Sequence, residues 1–135
     1  MKTKAVLSDT DVSNILSAAR IHANANKWAV SIAVVDDGGH MLGMIRLDGA
    51  PPISAHIAPA KAQTAAVGRR ESKVYEDIIN NGRVAFLSAP LIEGMLEGGV
   101  PIVVDGEVIG AVGVSGVKSN EDAEIARAGI AALQV

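Results

Sequence analysis

Four groups of residues in this chain could carry chemistry. Lys61, Arg69 and Arg70 form a basic stretch. Residues 61 and 69 are eight apart, a little over two helical turns, so they share a face if the helix runs that far. A planar guanidinium there is suited to clamping a carboxylate. Gly68 offers an earlier end to the helix, and cations at a helix C-terminus are stabilising in any case, by about 0.3–1 kcal/mol. The second group is the turn Gly98-Gly99-Val100-Pro101. Its two glycines permit positive φ and let a ligand approach the backbone. Their N–H groups could form a small anion-binding nest. The plainer reading is a tight entry into a strand. Third, Glu93 and Glu97 are four apart and lie on one face if 91–97 is helical. Glu97 adjoins the glycine turn, which makes it the preferred general acid or base if the chain is an enzyme. A solvent-facing glutamate is the alternative. The fourth group is the three histidines, His22, His40 and His56. His22 falls on an apolar helical stripe, where a satisfied core or interface position is expected. The histidine spacings make no recognised zinc motif, and no metal site is expected.

The elements that must position these groups read in order. Residues 8–26 form an amphipathic helix, with Val12, Ile15, Leu16, Ala19, His22 and Ala23 at helical spacing. Ser8 and Asp11 offer a capping start. The period then changes to two over residues 29–34, with Val30, Ile32 and Val34 on one face. Asp37-Gly38-Gly39 turns the chain into a returning strand, Met41 to Leu47. Helical pattern runs from near Ser54 to about Val67. Pro59 inside it requires either a late start or a bend. A shorter helix covers 71–81. The region 83–99 carries the weakest pattern. A second hairpin follows, Val100 to Val104 and Glu107 to Val114 around Asp105-Gly106. Asn120 is the expected N-cap of a last helix. Two hairpins separated by helices imply an antiparallel sheet covered by helices, an α/β chain of the α+β kind.

Composition narrows the function classes. The 135 residues suit one domain, 1–135, with no internal repeat or linker. The chain has one Trp, one Tyr and one Phe, so Ala, Val, Ile and Leu must fill a close-packed core. A formal charge of −3 argues against a nucleic-acid partner. Zero cysteines exclude disulfides and thiolate chemistry. No apolar run nears the ~20 residues of a membrane span, and the first residues lack the apolar core of a secretory signal. A cytoplasmic protein without a membrane partner is expected.

Three stretches together carry a resemblance. They are Val34-Val35-Asp36-Asp37-Gly38-Gly39-His40 with Arg46 to Ala50; Lys61-Ala62-Gln63-Thr64-Ala65-Ala66 with Arg69-Arg70; and Gly98 to Ile102 with Gly110 to Gly116. From about residue 8 to residue 133 the chain resembles the GlcG/HbpS-type heme-binding family, which includes PduO C-terminal-like domains. The resemblance implies a profilin-like fold, a central antiparallel β-sheet flanked by α-helices. It also implies a homo-oligomer, from dimer to octamer, and heme as a cofactor of some members. His56, then His40, are the candidate iron ligands.

Three functions follow as expectations. The first is a small-ligand-binding protein that takes heme or a small anionic metabolite near the glycine turn, with Lys61, Arg69, Arg70, Gly98 and Gly99 as binding residues. The scarcity of aromatic residues weighs against tight heme binding. The second is an aromatic-catabolism enzyme, a tautomerase, isomerase or hydrolase, acting on a small unsaturated carboxylate from ring cleavage. Arg69 would hold the carboxylate and Glu97 would move the proton. Lys2 stands where an N-terminal-proline tautomerase has its base, and Gly113-Val114-Ser115-Gly116 is not a nucleophile elbow. The third is an accessory oligomer with no ligand of its own, to which the Ala- and Gly-rich last helix would lend contacts.

Overall fold

The computed structural model of the chain describes residues 1–133; residues 134 and 135 of the expected domain lie outside it. Ser8 opens the first helix, α1 (Asp9–Ala25), through the expected capping box. Its hydroxyl accepts the Asp11 N–H at 3.1 Å, and the Asp11 carboxylate accepts the Ser8 N–H at 2.9 Å. Lys27, at φ 59°, reverses the chain, and the Trp28 N–H bonds back to Ala23 O at 2.9 Å. This is a Schellman ending with lysine in the place where glycine is least strained.

The hairpin β1 (Ser31–Asp36) and β2 (Met41–Arg46) follows, then α2 (Ser54–Gly68) and α3 (Ser72–Asn80). A 3-10 turn spans Val84–Ser88. The second hairpin is β3 (Gly99–Val104) and β4 (Glu107–Ser115), and α4 (Ser119–Ile130) closes the order. The four strands form one sheet in the order β2-β1-β4-β3, with every neighbour antiparallel. The two hairpins meet along β1 and β4, which makes those the central strands. The antiparallel sheet flanked by helices is the expected α+β architecture.

Strand alternation sorts the core into two layers. Val30, Ile32, Val34, Val112 and Val114 face α1 and α4, where Ile15, Ala19, Ile125 and Ala126 meet them. Gly129 lets α4 approach α1, so the small residues of the last helix serve packing within the chain. On the other face, Ala33, Val35 and Ala111 lie under Ala58, Ala62, Ala65 and Ala66 of α2. Apart from Val35, the buried apolar residues of this seam are all alanines. A Cβ added at Gly113 would lie 2.1 Å from Ala58 O and 2.5 Å from Ala62 N, so the helix backbone rests directly on β4.

The structure settles or corrects three expectations. The helix begins at Ser54 and continues through Pro59. Its first turn is tight, with the N–H groups of Ser54, Ala55 and His56 bonded three residues back. Pro59 then removes only its own bond to Ala55 O in that first turn. Residues 91–97 are not helical, so Glu93 and Glu97 share no helix face. That segment lies flat against α2, held by the Gly94 N–H on Thr64 Oγ1 at 3.0 Å. The N-cap of α4 is Lys118 rather than Asn120, because the Glu121 carboxylate captures the Lys118 N–H at 3.2 Å. Among the described residues no helix is long and apolar enough to cross a membrane.

Candidate ligand site

Lys61 projects from the middle of α2 and is 3% exposed. Its ammonium donates to Val114 O at 3.0 Å and to Asp122 Oδ2 at 3.2 Å. Asp122 is 2% exposed and accepts the Val117 N–H through its other oxygen at 3.1 Å. Burial raises the Asp122 carboxyl above its ordinary value, against the opposing pull of the Lys61 charge. The pair thus ties α2, the end of β4 and the start of α4 together. Nothing in the sequence pairs residues 61 and 122, because only the tertiary fold brings α4 to the end of β4.

The glycine turn sits on this lysine. Gly98 has φ +132°, and a Cβ on it would lie 2.7 Å from Lys61 Nζ. Gly99 is needed for a different reason: a Cβ there would lie 2.2 Å from Lys61 O. The Gly99 N–H is bonded to Ser72 Oγ at 2.8 Å, and the same hydroxyl donates to Leu96 O at 2.5 Å. Gly98 O accepts the Val114 N–H at 3.0 Å. One of the two N–H groups of the expected nest is therefore bonded within the protein.

The other basic residues lie elsewhere. Arg69 ends α2 in the left-handed conformation, and its guanidinium bonds to Asp37 O and to Ala66 O, the latter at 2.8 Å. It is held at the β1–β2 turn, about 12 Å along the helix from Lys61. Arg70 stacks over the Tyr75 ring at 5.2 Å. The structure brings Lys61, Gly98 and Gly99 together and leaves Arg69 and Arg70 apart from them. Glu97 is half-buried beside the turn. Its N–H bonds to Glu76 Oε1 at 3.1 Å, and its carboxylate accepts from Ser119 Oγ at 3.4 Å. Glu97 is held beside Glu76 and Ser119, whereas Arg69 is committed to Asp37 O and Ala66 O at the β1–β2 turn, so no contact joins the two. Glu93 is exposed.

The histidines differ in surroundings. His22 is not a core residue; it sits at the edge of the apolar stripe, 2.7 Å from the Glu124 carboxylate and tilted against Trp28. His56 is exposed in the first turn of α2. His40 follows the β1–β2 turn, with its side chain 80% exposed. Its Nδ1 lies 3.1 Å and 3.2 Å from the two Asp36 oxygens. Partial burial pulls the Asp36 carboxyl upward, but bonds from the His40 and Gly38 N–H groups and the imidazole hold it below its ordinary value. An ionised carboxylate only accepts hydrogen bonds, so Nδ1 carries the proton. With the Nδ1 proton held there, Nε2 is the ring atom left facing solvent. The Asp36 partner, four residues before His40, was within reach of the sequence because a tight turn separates them. Among the described residues no group of three or more acidic or histidine side chains could hold a metal ion.

Comparison with known proteins agrees with this architecture. Residues 7–131 match the family described as haem degrading protein HbpS-like. Protein GlcG of Escherichia coli strain K12 is 58% identical over 115 residues, which is 85% of this chain and 85% of that protein. Two solved structures superpose over nearly the whole chain. A double mutant of Streptomyces reticuli HbpS gives a TM-score of 0.88 at 28% identity, covering 100% of this chain and 92% of that one. A PduOC:heme complex gives 0.87 at 28% identity, covering 96% of each. Corrinoid adenosyltransferase PduO of Salmonella typhimurium is 29% identical over 136 residues, and this chain spans 40% of its length. With residues 7–131 matched and the fold superposing on these structures, the chain belongs to the HbpS-like family.

Proposed function

We propose that this chain is a ligand-binding protein that takes heme, with His40 as the first candidate iron ligand and His56 as the second. The geometry of His40 carries the reading. A carboxylate behind Nδ1 fixes the tautomer, orients the ring and strengthens Nε2 as a donor, the arrangement commonly found behind metal-bound imidazoles. The heme complex formed by a structural neighbour supports the same ligand. His40 and His56 lie toward opposite ends of α2, so each can be tested alone. Titrating the apoprotein with hemin should give a saturable Soret shift that weakens in His40→Ala. Asp36→Asn should give an intermediate loss. No Soret shift, or a shift unchanged in both His40→Ala and His56→Ala, would remove the heme reading.

A second ligand class is favoured by one observation, the Lys61 ammonium beside Gly98. In this reading a small anionic metabolite is bound near the glycine turn, with Lys61, Gly98 and Gly99 nearest to it. Saturable carboxylate binding by calorimetry, lost in Gly98→Ala, supports it; binding indifferent to that change removes it.

The protein is further read as a homo-oligomer, from dimer to octamer. Val84, Leu87 and Leu91 are all at least 60% exposed within one short segment. Soluble monomers rarely leave large contiguous apolar patches uncovered.

A further inference from the structure

The end of α1 and the end of β2 enclose an open hollow of about 450 Å³, whose lining includes neither His40 nor His56 nor the glycine turn. Arg20 and Asn24, four apart, line one side from a single face of α1, and Lys27 joins them from the left-handed turn that ends the helix. Arg46 and Asp48 come from the β2 end, and Trp28 provides an aromatic wall. Three cations stand against one carboxylate here, in a chain whose formal charge is −3. Among the described residues none of these three cations belongs to an ion pair. Like charges gathered without partners repel one another, which an anion would relieve.

Two further observations point to a ligand. Arg46 Nε and Nη2 both donate to Ala50 O, at 3.3 and 3.0 Å. That bond fixes the guanidinium in advance and leaves its other amino group uncommitted, which lowers the cost of ordering it on binding. Lys27 occupies a left-handed position at φ 59° that a glycine would hold with less strain. The strained lysine places a cation on the rim of the hollow.

We infer that this hollow binds a small organic dicarboxylate. One carboxylate meets Arg20 and Lys27 on the helix side, and the other meets Arg46 on the strand side. The carbon skeleton lies against Trp28. The volume falls in the ordinary range for small-molecule sites, and guanidinium groups match carboxylates in shape.

Trp28 is the chain's only tryptophan, so its fluorescence reports the site directly. The native protein is titrated separately with phthalate, succinate and inorganic phosphate. A dicarboxylate should change the emission saturably. Arg20→Gln and Lys27→Gly should each weaken that binding by about 10-fold or more. Lys27→Gly should also raise Tm, because glycine relieves the backbone strain, so lost binding cannot be ascribed to lost folding. No saturable response to either dicarboxylate, binding of phosphate alone, or affinity unchanged in both variants would overturn the assignment. Hemin binding through His40 is measured by the Soret band and stands or falls separately.

Discussion

The Lys61 ammonium is buried where α2, the end of β4 and the start of α4 meet, bonded to Val114 O and Asp122. A basic stretch of Lys61, Arg69 and Arg70 is visible in the sequence, and Lys61 does adjoin Gly98. The stretch divides because Arg69 turns left-handed after Gly68, which sends the two arginines to the β1–β2 turn and to Tyr75. Asp122, which fixes Lys61, was not legible, since the contact spans 61 residues. Removing one member of such a buried pair leaves a charge unpaired, so Lys61→Met and Asp122→Asn should each cost about 3–5 kcal/mol at neutral pH. The double variant should recover much of that loss in urea unfolding; additive losses would refute a coupled pair. The Lys61→Met loss should shrink as pH falls, because the Asp122 carboxyl, already raised by burial, can then take up a proton. Asp36 and Asp37 work in the opposite direction. Asp37 is lowered chiefly by the hydrogen bond from the Lys4 ammonium, and Asp36 is lowered by the N–H groups around it despite its burial. Their stabilisation is present above the ordinary carboxylate value of 3.8 and is lost as pH falls through their lowered values. Asp36→Asn and Asp37→Asn should therefore show a shallower fall of Tm between about pH 5 and pH 2 than the native protein.

At the scale of elements, the readable parts were those with a strong period and local punctuation. Ser8 with Asp11 marked a helix start, and the alternation through Val30, Ile32 and Val34 marked a buried strand face. Ser8→Ala should cost about 1 kcal/mol in stability, measured by denaturant titration. The path of 83–99 was not readable, because local pattern does not set it. It follows from Gly94 lying on the Ala60 backbone and from Thr64 and Ser72 holding its N–H and C=O groups. Pro59 misleads for the opposite reason. Its local cost is real, yet α2 is pressed along the sheet through Ala58, Ala62 and Ala65, and that packing carries the helix through. The tightest part of the seam gives the sharpest expectation. Gly113→Ala would place a methyl 2.1 Å from a fixed backbone oxygen, with no flexible side chain to yield. A loss of about 3 kcal/mol or more is expected, because overpacking that must move backbone lies at the costly end of such changes. Gly106→Ala, where a Cβ meets nothing within 4 Å, should incur only the smaller cost of its positive φ.

Across the whole molecule, hairpin count and helix spacing were enough to reach the antiparallel α+β architecture. The order β2-β1-β4-β3 was not, because pairing β1 with β4 joins strands more than seventy residues apart. The exposed Val84, Leu87 and Leu91 bear on assembly. Sedimentation at micromolar concentration should show an oligomer that Leu87→Glu with Leu91→Glu dissociates; a native monomer would remove the assembly reading. The contact of α2 with Gly113 and Gly99 also governs how the molecule can move. A joint made of backbone against backbone has no rotamers to rearrange, and sliding between packed elements proceeds by such small rearrangements. Helix and sheet are then locked into one rigid chassis, and a shape change on loading is expected to fall to residues 81–91, most of them exposed, and to the hairpin tips. On the clock of amide hydrogen exchange, β1, β4 and the middle of α2 should be the last to take up deuterium, and 81–91 among the first.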